Sequence, residues 1–213
     1  ESYTNRTQNV QLKGGNLVIT ALKETYADPS DNVTRNYTSA RMKTQGLFNQ
    51  AYGRFEARIR IPRGQGIWPA FWMLGHTFPV TGWPACGELD IMENKGSQTA
   101  TTSSALHGPG YSGQTPFAHA HDLASGMLSD DFHTFAVEWD SLHIRFFVDS
   151  TAHYETTRDA VEHFGKSVLD QPFFLILNLA VGGHFDGDPR SGAIFPATMA
   201  LAGSSVDDRS GSD

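Results

Sequence analysis

Apolar and polar residues alternate along most of this chain, and the alternation predicts strand after strand. Val10-Gln11-Leu12-Lys13 and Asn16-Leu17-Val18-Ile19-Thr20 flank Gly14-Gly15 and read as a hairpin. A polar loop is expected from Ala27 to Asn36, around Asp28-Pro29-Ser30-Asp31, and a strand from Tyr37 to Thr44. From Tyr52 to Ile61, Phe55, Ala57, Ile59 and Ile61 share a face opposite Glu56, Arg58 and Arg60, as in a half-buried antiparallel sheet. Ile67 to Leu74 places Trp68, Ala70 and Trp72 on one side and Pro69, Phe71 and Met73 on the other. Thr101 to His107 is a further strand, and 131–140 with 142–149 forms a hairpin in which His133, Phe135, Val137 and Trp139 share one parity. Pro172 to Val181 is continuously apolar except for Asn178, which predicts a strand buried on both faces. Helix-like spacing occurs only between Asp159 and Leu169, enough for one or two turns. About ten short strands and almost no helix predict an all-β fold, a two-sheet antiparallel β-sandwich or jelly roll.

One stretch breaks the alternation in an informative way. In Gly87-Glu88-Leu89-Asp90-Ile91-Met92-Glu93-Asn94, Glu88 and Asp90 point away from Leu89 and Ile91, but strict alternation would bury Glu93. An unpaired carboxylate in an apolar core costs several kcal/mol, so a β-bulge near Ile91-Met92 is expected, returning Glu93 to the face of the other two acids. Three acids in a row also describe a solvent-facing sheet surface, a charged edge, or a calcium site. Three of the four tryptophans, Trp68, Trp72 and Trp83, lie just before this strand and favour a site. Two tryptophans on one strand face can be a flat aromatic floor or simply core. Clustered carboxyls raise one another's pKa, so that one stays protonated while another is ionised, as a paired acid and nucleophile require.

Composition narrows the class. The 213 residues suit one domain, with a tail of disordered composition from Gly203 to Asp213 after a body of residues 1–202. Sixteen Lys and Arg against 23 Asp and Glu give a net charge of −7, with no basic run, which argues against nucleic acid or an anionic membrane as partner. No apolar run approaches the ~20 residues of a membrane span. No signal peptide is present, so the protein is intracellular or the signal lies outside these residues. The single Cys86 excludes an internal disulfide and reads as a small buried group. His119 and His121, one residue apart, could chelate a metal on a strand, but no third ligand is apparent, and 117–127 is expected to be a flexible loop. No metal ligand set is assigned.

The runs Gly66-Ile67-Trp68-Pro69-Ala70-Phe71-Trp72-Met73-Leu74, Trp83 to Glu93 and His107-Gly108-Pro109-Gly110-Tyr111-Ser112-Gly113 resemble family 16 glycoside hydrolases, and within them laminarinases, which are endo-β-1,3-glucanases. Tyr3-Thr4-Asn5-Arg6, Tyr52-Gly53-Arg54, 132–139 and 177–183 fit in the same order, so the likeness runs from about Tyr3 to Met199. The resemblance implies a curved jelly roll with a concave substrate cleft and retaining hydrolysis of a β-glucan by a secreted enzyme needing no catalytic cofactor; nothing in the chain demands more than a monomer. Glu88 matches the nucleophile and Glu93 the acid/base, with Asp90 coupled to both. Asn5 and Arg41 match residues that hydrogen-bond sugar hydroxyls. Trp68, Trp72 and Trp83 match stacking faces, and His107 and Asn178 are further cleft candidates. The family's structural calcium takes an aspartate from a closing strand, for which no match is found. The family's additional strand before Tyr3-Thr4-Asn5 and its closing strand after Phe195-Pro196-Ala197-Thr198-Met199 are expected to be missing, leaving an unpaired edge. Binding without hydrolysis, or cleavage of mixed-linkage glucan, agar or carrageenan, are the other readings the motif allows.

Overall fold

A computed structural model describes residues 1–190 and 193–207. In chain order the first strands are β1 (Ser2–Tyr3), β2 (Val10–Lys13), β3 (Asn16–Ala27), β4 (Thr34–Ser39), β5 (Arg41–Lys43), β6 (Gly53–Arg60) and β7 (Ile67–Gly75). The short helix α1 (Phe78–Thr81) precedes β8 (Glu88–Glu93), β9 (Thr101–His107), β10 (Phe117–Asp122), β11 (His133–Trp139), β12 (His143–Val148) and β13 (Thr151–Thr157). Helix α2 (Arg158–Glu162), β14 (Phe173–Val181) and β15 (Ala197–Asp207) complete the described residues. No described helix is long and apolar enough to cross a membrane.

The strands form two sheets, as the alternation predicted. Nine make one sheet in the order β1-β4-β3-β15-β6-β11-β12-β13, with β2 paired to β3, and six make the other in the order β10-β9-β8-β7-β14-β5. Every described ladder is antiparallel except the two-residue pairing of β1 with β4. The β2–β3 turn uses Gly14 and Gly15 at φ +59° and +81°, the left-handed pair that a two-residue hairpin needs.

Burial follows strand parity. Phe55, Ala57 and Ile59 of β6 are fully buried, and with Phe135, Val137, Phe146, Phe173 and Leu179 they fill the space between the sheets. Each large side chain contributes roughly 1.5–3 kcal/mol by leaving water. Trp139 is the tryptophan in this core, stacked 4.9 Å from Phe55. On the outward side of β6, Arg54 pairs with Glu56 at 2.8 Å and Glu138 at 2.9 Å. Cys86 is buried, as expected.

Several expectations change. The strand expected over 37–44 is two strands in different sheets: β4 ends at Ser39, and after the buried Ala40 the chain enters the six-stranded sheet as β5. The loop expected over 27–36 shrinks because β3 extends to Ala27 and β4 begins at Thr34. The loop expected at 117–127 contains β10, whose ladder with β9 runs from Phe117–Leu106 to Asp122–Thr101. The tail reading fails over 203–207, since β15 continues to Asp207, pairing with β3 and then β6. It is a closing strand, and its small polar residues face outward while backbone pairing holds it. Residues 208–213 lie outside the described residues.

Candidate active site

Strand β8 sits between β7 and β9, and its register shows the expected irregularity. Against β7, Trp72 pairs with Asp90 but Phe71 with Met92, so Ile91 is extra. Against β9 the shift falls between Asp90 and Glu93. Ile91 and Met92 both turn into the core, at 1% and 0% exposure, and Glu93 rejoins the face of Glu88 and Asp90. Gly87 launches the strand at φ +76°, where an added Cβ would lie 2.6 Å from Val168.

A bulge removes carbonyls from the ladder, and the hydroxyl-rich start of β9 takes them over. Ser104 Oγ donates to the Ile91 carbonyl at 2.8 Å, and Thr102 Oγ1 and Ser103 Oγ donate to the Glu93 carbonyl at 3.2 and 3.3 Å. Thr102 and Ser104 are buried. Alternation alone gives these positioning residues no role, though the run Thr101-Thr102-Ser103-Ser104 at the start of β9 is a usable signal.

The acids form one group. A pocket of about 180 Å³ is lined by Glu88, Asp90 and Glu93 together with Arg41, Trp68, Trp72 and Asn178. His107, opposite Glu88 in the β8–β9 ladder, brings Nε2 to 3.1 Å from Asp90 Oδ2 and 3.8 Å from Glu88 Oε1. Asp90 Oδ2 nevertheless has no aligned hydrogen bond, so the contact is an ion pair when His107 carries a proton. Trp68 Nε1 donates to Glu93 Oε1 at 2.9 Å, and Trp72 Nε1 donates to Asn178 Oδ1 at 2.7 Å. The buried Asn178 amide thus fixes a cleft indole.

All three carboxyls are pushed upward. Burial, then Asp90, raise Glu88 from 4.5 to about 8, while His107 and a hydrogen bond from Trp83 pull it back. Asp90 is held well above the usual range by burial and by Glu93, against a hydrogen bond with Glu88. Burial raises Glu93, and Trp68 and His107 oppose it. Near neutrality the trio therefore keeps protons and carries less than its full negative charge.

The groove extends on both sides. Toward β5 and α1, a pocket of about 420 Å³ shares Arg41, Trp72 and Glu88 with the central one and adds Trp83, Phe78 and Phe174. Trp83 is 46% exposed, with its ring 6.1 Å from His107. Arg41 lies over the rings of Tyr3 and Trp72 at 4.9 and 5.4 Å. Beyond Glu93, a pocket of about 120 Å³ is lined by Lys95, Gln98, Ser103 and Phe185 among others. Phe185 stacks on Trp68 at 4.9 Å, and its loop is tied down where Asp186 accepts from the backbone N–H of Gly66 at 2.9 Å and of Ser97 at 3.1 Å. Phe185 was not foreseen, because it comes from a Gly- and Asp-rich segment with no strand pattern. Asn5 is exposed between β1 and β2 and lines neither the central pocket nor the larger one beside it.

Among the described residues, Glu88, Asp90 and His107 are the only three His, Cys, Asp or Glu side chains whose donor atoms all lie within 4.8 Å of one another.

A sandwich whose one face gathers buried, proton-retaining carboxyls in an aromatic-walled groove open on either side defines a carbohydrate-cleaving hydrolase. The family model for glycosyl hydrolases family 16 matches residues 2–195, and the chain belongs to that family. Glucan endo-1,3-beta-glucosidase A1 of Niallia circulans is 35% identical over 213 residues, covering 94% of this chain and 31% of the relative. A beta-glucanase of Rhodothermus marinus is 37% identical over 206 residues, covering 92% and 69%. The chain thus spans less than a third of the length of the first and about two thirds of the second. The crystal structure of the laminarinase catalytic domain from Thermotoga maritima MSB8 superposes with a TM-score of 0.91 at 43% identity, covering 96% of this chain and 81% of that one.

Proposed function

We propose that this domain is a retaining endo-β-1,3-glucanase acting on laminarin-type glucan. The observation that carries the reading is the bulge at Ile91, which brings Glu88 and Glu93 into one pocket. Retaining cleavage needs two carboxyls about 5–5.5 Å apart, one protonating the departing oxygen and the other attacking the anomeric carbon.

Glu88 is the nucleophile and Glu93 the acid/base. Burial favours the protonated Glu93 that the first step requires. Asp90, which also favours its protonated form, can donate a hydrogen bond to the Glu88 carboxylate. Glu88 attacks in its ionised form, a minority at neutral pH because the group titrates at about 8, and Trp83 and His107 favour that form. Glu88 then bonds to the anomeric carbon as the Glu93 proton passes to the leaving oxygen. Water, deprotonated by Glu93, releases the sugar from Glu88.

Pockets on both sides of the carboxyls let a glucan chain pass through, which supports internal cleavage. Trp72 and Trp83 present ring faces to the C–H sides of glucose, and Arg41 presents a guanidinium to its hydroxyls. The net charge of −7 suits a neutral polymer. The two-carboxylate route uses no catalytic cofactor, one chain supplies the whole groove, and a polymeric substrate fits a secreted enzyme.

The test is reducing-end release from laminarin, with lichenan and agarose in parallel. Glu88→Gln and Glu93→Gln are each expected to lower kcat by at least a thousandfold, and retained activity in either overturns the assignment.

A further inference from the structure

Outside the groove, the edge strands β10 and β13 of the two sheets face each other and bring three histidines together. His119 and His121 pair with Ser104 and Thr102 in the β9 ladder, so they share the inward parity of those residues. From β13, His153 meets them, with ring centroids 5.8 Å from His119 and 5.0 Å from His121. This is the third histidine that the sequence could not supply, 32 positions beyond His121 and in the other sheet.

The protonation of His153 follows from its hydrogen bonds. Ser104 Oγ has one hydrogen and gives it to the Ile91 carbonyl at 2.8 Å. Toward His153 Nε2, 3.2 Å away, it can then only accept, so the proton sits on Nε2 and Nδ1 keeps a lone pair. That Nδ1 is buried and has no hydrogen-bond partner. An imidazole with one nitrogen held by an outer hydrogen bond and the other left bare is the arrangement metal-bound histidines show.

Two of the three ring spacings come near that of a single ion. With Zn–N bonds of about 2.0–2.1 Å in tetrahedral geometry, imidazole centroids sharing a zinc stand about 5 Å apart. The donor atoms do not yet converge, since this trio is absent from the described groups with donors within 4.8 Å. His119 is exposed and His121 half-buried on an edge strand, so turning their rings is inexpensive. His119 would give up its stack on Tyr154, 5.5 Å away.

We propose that His119, His121 and His153 form a binding site for a divalent late transition metal, zinc foremost, with water as fourth ligand. The ion would clip the edges of the two sheets together. Through His153, Ser104 and the Ile91 carbonyl it would also brace the bulge that sets the acids. The proposal does not rest on the hydrolase reading.

The experiment titrates zinc chloride into chelator-treated protein by calorimetry near pH 7.5, with thermal melts alongside. Three proteins are compared: wild type, the double variant His119→Ala/His121→Ala, and His107→Gln as a control for zinc binding in the groove. The expected result is one binding event in wild type that weakens at least 100-fold in the double variant and persists in His107→Gln. Saturating zinc should raise the melting temperature by about 5 °C in wild type and His107→Gln only. Absence of binding in wild type, equal affinity in the double variant, or loss in His107→Gln instead would each overturn the proposal. Because the replaced histidines lie on an edge strand, metal-free melts should match wild type closely and confirm folding.

Discussion

Replacing Glu88 by glutamine should make the protein more stable, by an amount that depends on pH in a calculable way. The carboxyl is 18% exposed and titrates at about 8 in the folded state against 4.5 ordinarily. A folded-state pKa raised above the unfolded value means that the native protein binds the proton more tightly. Its stabilising effect is complete below pH 4.5 and is lost as pH rises to about 8. Glutamine has no proton to lose, so the gain from Glu88→Gln should be near zero at pH 4. At pH 7 the unfolded chain has gained 2.5 pH units of ionisation that the folded carboxyl has not, worth roughly 3 kcal/mol at ~1.4 kcal/mol per unit. Above pH 8.5 the ceiling is about 5 kcal/mol, an upper bound because Asp90 and Glu93 readjust when Glu88 is removed. In this size class the pH 7 figure corresponds to a melting temperature rise of about 6–12 °C. Urea unfolding of wild type and variant at pH 4, 7 and 8.5 measures the difference directly. A gain of equal size at all three pH values would mean packing rather than titration, and no gain at pH 7 would refute the electrostatic account.

Two further outcomes follow from the same groove. Trp68→Phe removes the indole donor that favours charged Glu93, so Glu93 should hold its proton to higher pH. The alkaline limb of the kcat/KM profile on laminarin should move upward, and a downward move would contradict the assignment of Glu93 as the acid. Arg41→Met keeps an apolar stem over the rings of Tyr3 and Trp72 but removes the guanidinium. KM should rise about tenfold with kcat changed less than threefold, the result for a contact made equally in ground and transition states.

Much of this could be read from residue order, because burial imposes parity and parity is visible. Glu93 is the clearest case: an acid at a core position had to be moved, one extra residue moves it, and the register shows that residue. Trp68 and Trp72 were ambiguous between floor and core, since alternation says which residues share a face but not which face is wet. The missed elements share another cause. Strand β13, with Thr151, Ala152, Glu155 and Thr157 largely outward, and β10, with Ala118 and Ala120, are sheet edges. Edge strands are held by backbone pairing on one side, and their side chains carry little pattern. The end of β15 was hidden likewise, since Gly203 to Ser205 look disordered by composition while their backbones pair with β6. Phe185 and His153 reach their neighbours through tertiary structure, and spacing along the chain holds no trace of that.

The extra residue in β8 also constrains how this gene could change. Replacing Ile91 or Met92 with another apolar side chain alters only packing, but losing one codon would reset the count and swing Glu93 into the oily interior. At this point the protein can vary its spelling far more freely than its length.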